Sequence, residues 1–254
     1  MNRRNVFLSI LITAVTLCGC GARYAVMGIE RSRVLIDKRY DAANDAELQA
    51  FITPYKQRVD SLVAPVVGRA GCNMSAGRPE SSLSNLMTDI LVWAGQRYGE
   101  QPQFAVYNIG GMRAAIGEGD VTRGDIINVA PFDNKVCFIT LTGEQVQRLF
   151  EQIAKRGGEG VSSSVRLVID KNRQLKRATI DGKPIDPKAQ YRVVTNDYVV
   201  QGNDGMPAFK EGTQLVAPQS EENNVRYVMM DYFREQMKAG KTVCGKREGR
   251  ITIE

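Results

Sequence analysis

Three short segments of this 254-residue chain set polar or aromatic side chains beside flexible backbone, each next to a run of strand character. They are Asn108-Ile109-Gly110-Gly111-Met112-Arg113, Pro131-Phe132-Asp133-Asn134 and Gln201-Gly202-Asn203-Asp204-Gly205. Their combined chemistry suits a nucleoside. Phe132, with Tyr198 just ahead of the third segment, supplies rings for the two faces of a base, each such contact being worth ~1–3 kcal/mol. Asp204 and Asn134 offer hydrogen bonds to sugar hydroxyls or base edges, and Arg113 offers a forked donor to a phosphate. The glycines let backbone amides come close to a ligand. Each segment also has a purely structural reading, with the aromatics in the core, Gly-Asn-Asp-Gly as a turn and Arg113 in an ion pair. Taken singly, structure is the commoner reason; their occurrence together favours a ligand.

Other chemistries are narrowed by what the sequence contains. It has no histidine, so the imidazole that zinc and dinuclear metallohydrolase sites use for ligation, and that a serine triad uses as base, is not supplied by these residues. No clustered Asp/Glu pattern suggests an all-carboxylate magnesium site. We therefore expect no catalytic residue, metal ligand or cofactor in this chain. The formal charge of +6 is interleaved with acidic residues, too mild for a nucleic-acid partner.

Several elements must position these loops, and the 43% hydrophobic content supports a packed core. Leu48, Phe51, Ile52, Tyr55, Val59 and Leu62 recur at helical spacing after Asn44 or Asp45, with Pro54 expected to kink or restart the helix. Val66-Val67-Gly68 is expected to end it, and 72–77 reads as a turn-rich connection. Leu83, Leu86, Met87, Ile90, Leu91 and Ala94 make the clearest helical stripe, opened by Pro79-Glu80-Ser81-Ser82. Residues 104–107 read as a buried strand that runs into the first glycine segment. Residues 136–141 read as another strand, followed by a Thr142-to-Gln145 capping box and a helix that Gly157-Gly158 stops. Strands are expected over 165–169, 175–180 and 191–195, with a tight turn at Asp181-Gly182, then a helix over 225–237 and a strand over 250–253. The fold class is α/β (α+β), a mixed β-sheet flanked by helices. There is no internal repeat or low-complexity segment.

The amino terminus is a separate matter. Asn2-Arg3-Arg4-Asn5 precedes an apolar run over 6–17, the pattern of a secretory signal too short to span a membrane stably. Leu17-Cys18-Gly19-Cys20 resembles a bacterial lipobox, in which the cysteine after the small residues is lipidated. The organisation expected is a lipoprotein signal at 1–19, lipidation at Cys20, a spacer over 20–44 with a short strand at 32–36, and a domain over 45–254. The protein would then sit lipid-anchored at the cell envelope, on the periplasmic side or the surface, and loss of Arg3 and Arg4 would leave a charge of +4. Of Cys72, Cys137 and Cys244, a Cys72–Cys244 disulfide is expected, since Cys137 lies in an apolar strand pattern.

With Glu80-Ser81-Ser82-Leu83-Ser84-Asn85-Leu86 ahead of them, the three segments resemble the C-terminal domain of the 5′-nucleotidase and UDP-sugar hydrolase family, from about residue 45 onward. The resemblance implies that Asn108 and Arg113 of the glycine loop, Phe132 of the Pro-Phe loop, Tyr198 and Asp204 contact substrate. It extends to Asn134, which matches an asparagine found in part of the family. Arg78 is a candidate for a further substrate-binding arginine, and Gly157, Gly158 and Gly160 for a loop that approaches the ligand. Two departures, Met206 for an aromatic and Asn203 for a glycine, bear on pocket shape. Family enzymes also carry a metallophosphatase domain with two metal ions, which the residues ahead of Glu80 do not resemble.

Two functions follow from the resemblance. In the first, the chain recognises a nucleotide or nucleoside as half of a split 5′-nucleotidase, while a partner metallophosphatase supplies the divalent metals and the hydrolysis. In the second, it is a stand-alone nucleotide-binding lipoprotein. A structural lipoprotein with an empty pocket ranks behind both.

Overall fold

The computed structural model describes residues 25–40 and 45–254; the signal, Cys20 and residues 41–44 of the spacer lie outside the described residues. The chain divides into two units, one up to Phe51 and one from Ile52 to Glu254. Within the first unit, residues 25–36 are exposed and have no regular structure, so the strand expected at 32–36 does not form. Val34, Leu35 and Ile36 are exposed there, and apolar character without a ladder partner does not make a strand.

Helix α1 (Ala46–Val63) starts on Asp45, whose carboxylate accepts from the backbone N–H groups of Glu47 and Leu48. It runs through Pro54 as one element, so the helix does not restart there. None of its residues is buried, so water can satisfy the carbonyl that Pro54 leaves unbonded.

Beyond it the chain forms β1 (Val66–Ala70) instead of a simple helix stop, burying Val67 and Ala70 and exposing Val66 and Arg69. Gly68 is needed there, because a Cβ would fall 2.9 Å from the Phe233 side chain. Helix α2 (Ser82–Ala94) follows, with Ser81 as its cap and the Ser81/Ser84 pair closing a capping box. The Glu-Ser start is structural: Glu80 accepts from the Asn85 amide at 2.6 Å and from the Glu248 backbone N–H at 2.7 Å, which ties the helix start to the C-terminal segment. Burial works against ionisation of Glu80, yet these donors outweigh it and hold the carboxyl below its ordinary range.

The centre of the molecule is a five-stranded mixed sheet. It contains β2 (Phe104–Tyr107), β4 (Val136–Thr142), β5 (Gly160–Val161), β9 (Gln190–Asn196) and β10 (Thr213–Val216), in the order β10-β4-β9-β2-β5. Both faces are covered. Ala105, Tyr107, Phe138 and Val194 join the core under α2 and helix α6 (Val225–Lys238), whereas Phe104, Val106, Ile139 and Val193 join the one under helix α4 (Gly143–Lys155). Two buried faces explain why these strands read as continuous apolar runs and not as alternating ones.

A second sheet orders β11 (Ile251–Ile253), β6 (Val165–Ile169), β7 (Leu175–Ile180) and β8 (Lys183–Pro184). A small ribbon pairs β1 with β3 (Gly119–Thr122), which leads into helix α3 (Arg123–Val129) through a Thr122/Asp125 capping box. Cys72 and Cys244 form a disulfide across 172 residues, worth about 5 kcal/mol by the chain-entropy argument. Cys137 is free and fully buried, and its thiol is pushed up to about 12 by that burial. No helix among the described residues is long and apolar enough to cross a membrane.

Candidate functional site

Strand register brings the three segments to one edge of the central sheet. Strands β2 and β9 run parallel, with Phe104 beside Val193 and Ala105 beside Val194, so the segments after Tyr107 and Asn196 leave side by side. Strand β4 is antiparallel to β9, with Val136 opposite Asn196. The segment that precedes β4 therefore arrives at the same edge. Ligand sites of sheet proteins form where loops from adjacent strands converge in this way.

At that edge lies a cavity of about 350 Å³ lined by Asn108, Gly110, Arg113, Phe132, Asn134, Tyr198 and Asp204. All six residues named from the sequence thus share one cleft. Phe132 is 46% exposed and Tyr198 40% exposed. Neither is a core residue, and a packed structural aromatic would have been covered. Arg113 is exposed, and its guanidinium donates only a long bond, 3.4 Å, to the Gly110 carbonyl. It has no carboxylate partner among the described residues, so its forked donors face the cleft without a structural ion pair.

The floor of the cleft is held by buried asparagines. Asn108 donates to Asp204 at 2.7 Å and accepts from Asn196 at 3.2 Å, while Asn196 also caps helix α5 (Asp197–Val200) by accepting from the Val199 N–H at 2.7 Å. Asp204 holds a left-handed backbone conformation, φ 52°, which Asp and Asn tolerate better than most residues. Tyr107 is buried beneath, and that burial raises its phenol pKa. Gly111 is required here, since a Cβ would sit 2.9 Å from both Asn108 Oδ1 and the Tyr107 ring.

Four residues that shape the site were not singled out from the sequence. Asn196 is one. Glu159, whose side chain is fully buried, accepts from the Ile109 N–H at 2.6 Å, from Arg156 at 2.5 Å and from Arg78. Arg156 in turn approaches Asp204 at 3.5 Å. Arg226, at the start of α6, binds Asp133 and donates to the Pro131 carbonyl at 3.2 Å, clamping the segment that carries Phe132. No local pattern marks these residues. Their partners lie as far as 95 positions away.

The remaining residues singled out from the sequence lie apart from this lining. Arg78 does not line the cleft; it faces a neighbouring pocket with its guanidinium on Glu159 and the Gly158 carbonyl. Gly158 and Gly160 serve packing, since a Cβ would fall 2.3 Å from the Pro79 carbonyl oxygen at the first and 3.0 Å from the Tyr107 carbonyl oxygen at the second, and neither they nor Gly157 line the cleft. Met206 is fully buried in the core under α4, so it alters that core and not the cleft lining. Asn203 instead braces the site, donating to the Tyr198 carbonyl at 2.9 Å.

Comparison with known proteins agrees with this architecture. The chain is 27% identical over 233 residues to the cell wall protein Lmo0130 of Listeria monocytogenes, covering 81% of this chain and 29% of that protein. It is 32% identical over 187 residues to the trifunctional nucleotide phosphoesterase protein YfkN of Bacillus subtilis, covering 68% of this chain and 12% of that protein. The chain thus spans less than a third of these relatives. The crystal structure of a 5′-nucleotidase precursor from Thermus thermophilus superimposes with a TM-score of 0.71 at 29% identity, over 83% of this chain and 43% of that one. Residues 64–211 match the family model of the 5′-nucleotidase C-terminal domain, and the chain belongs to that family.

Proposed function

We propose that this domain recognises a nucleotide or nucleoside as the substrate-binding half of a split 5′-nucleotidase. The base lies between Phe132 and Tyr198, Asp204 and Asn134 take the sugar or base edges, and Arg113 takes the phosphate. The observation that carries the reading is the pair of half-exposed aromatics on a single cleft whose floor is already hydrogen-bonded. A rigid polar floor with open ring faces loses little entropy on binding a flat ring.

Hydrolysis is assigned to a separate metallophosphatase that brings its own divalent metals. The sequence contains no histidine, and among the described residues no three His, Cys, Asp or Glu side chains are grouped to hold a metal ion. We place the domain at the bacterial envelope through a lipid on Cys20, on the strength of the basic start, the apolar run and the small residues around that cysteine. Cys20→Ala should then move the protein from the membrane fraction to the soluble one.

Phosphate release from AMP, measured with manganese present, tests the division of labour. The protein alone should release none, and addition of a metallophosphatase recovered with it from membranes should give turnover that Phe132→Ala impairs through KM. Release by the protein alone, or turnover indifferent to its presence, would overturn the split assignment.

A further inference from the structure

A second concavity, of about 250 Å³, lies on the other side of Arg156 from the cleft, and its wall is cationic. Arg78, Arg156, Lys171 and Arg173 line it. Allowing about 30 Å³ per water, that volume holds roughly eight waters, ample room for a small anion.

The charges at this pocket do not cancel. Arg78 and Arg156 share the fully buried Glu159, and Arg156 also meets Asp204 at 3.5 Å, so the excess charge here belongs to Lys171 and Arg173. Both guanidinium groups stay partly open, with side chains 35% and 29% exposed. Asp170 also lines the pocket, but its carboxylate is taken by Lys176 at 3.0 Å and by the backbone N–H groups of Asn172 and Gln174. Lys171 and Arg173 have no ion-pair partner among the described residues. Two further details bring the cations together. Arg173 sits in a left-handed conformation, φ 62°, in the turn between β6 and β7. Its guanidinium lies against Gly157, where a Cβ would be in ordinary contact at 3.7 Å from Arg173 Nε. The turn between β6 and β7 thus delivers two unpaired cations to a hollow whose other wall carries the ion-paired Arg78 and Arg156.

We infer that this pocket binds a small phosphate-type dianion, at a site separate from the aromatic cleft. Arg173 and Lys171 supply the uncompensated charge, and the guanidinium forks of Arg78 and Arg156 supply directed donors. Arg156 also lies 3.5 Å from Asp204, so the two sites share a wall. The phosphate group could come from free inorganic phosphate or from the phosphoryl end of a nucleotide. The inference does not rest on the nucleotide reading, because a phosphate titration tests it directly.

The test is calorimetric titration of the full-length protein with inorganic phosphate at low ionic strength, alongside Lys171→Gln and the double variant Lys171→Gln/Arg173→Asn. Asparagine keeps the left-handed turn accessible, and thermal unfolding checks that each variant is folded. The expected result is saturable binding by the wild type, a tenfold or greater loss in the double variant, a smaller loss in Lys171→Gln, and sulfate competition. A titration with ADP then separates the sources: displacement of phosphate by ADP assigns the site to the phosphoryl group beyond the one that Arg113 takes, and independent binding assigns it to free phosphate. Absence of phosphate binding in the wild type, unchanged binding in the double variant, or loss only in Arg113→Ala would overturn the inference.

Discussion

The two walls of the cleft are held in different ways. On the Asn108 and Asp204 side, buried side chains form a continuous chain of hydrogen bonds through Asn196 to the cap of α5. On the Phe132 side, the segment is tied to the start of α6 by the Val225 N–H on the Asn134 carbonyl and by Asn224 and Arg226 on Asp133, whose side chain is 87% exposed. Buried bonds lose more when broken, because the groups left behind have no water to turn to. An ion pair whose carboxylate is open to water is screened more than a buried bond. The polar floor is therefore preorganised, whereas the aromatic wall can adjust to the ring it meets.

That contrast orders the expected effects. Asp204→Ala should be the most damaging, since it removes a ligand group and leaves the Asn108 amide without its partner. Adenosine and AMP should both weaken by about 1.5–3 kcal/mol in calorimetry, and Asp204→Asn, which keeps the left-handed conformation, should recover part of the loss. Phe132→Ala should follow, at ~1–3 kcal/mol for either ligand and with no change in melting temperature, because the ring is not part of the core. Arg226→Ala should cost about 1 kcal/mol, roughly fivefold in affinity, through a less ordered aromatic wall. Its effect should shrink at high salt, while that of Asp204→Ala should not. Equal salt sensitivity in the two variants would remove the distinction between the walls. Arg113→Ala should be the most selective, weakening AMP by about 1 kcal/mol and leaving adenosine unchanged; equal losses would remove its phosphate role.

Much of this architecture was legible in the sequence because it is written locally. The stripe from Leu83 to Ala94, the capping box at Thr142 and the apolar runs of β2, β4 and β9 each declare an element within a dozen residues. The cleft residues were legible because glycine and exposed aromatic side chains lie together in short loops. The ribbon of β1 and β3, helix α3 and strand β10 were missed, being four to seven residues long and stabilised by partners elsewhere in the chain. Glu159 shows the limit most clearly. In sequence it is one acid among glycines, and only the approach of Arg78, Arg156 and the Ile109 N–H makes it the hub behind the cleft. Helix α1 shows the converse, for its apolar periodicity foretold a helix but not burial, and no residue of it is buried.

The measurement that bears most directly on the central claim is a titration of the purified protein with adenosine, repeated with Phe132→Ala/Tyr198→Ala. Saturable binding in the wild type, lost or weakened by more than tenfold in the folded double variant, is the result expected of a nucleoside held between two rings. Absence of binding in the wild type, or binding that survives removal of both rings, would contradict it.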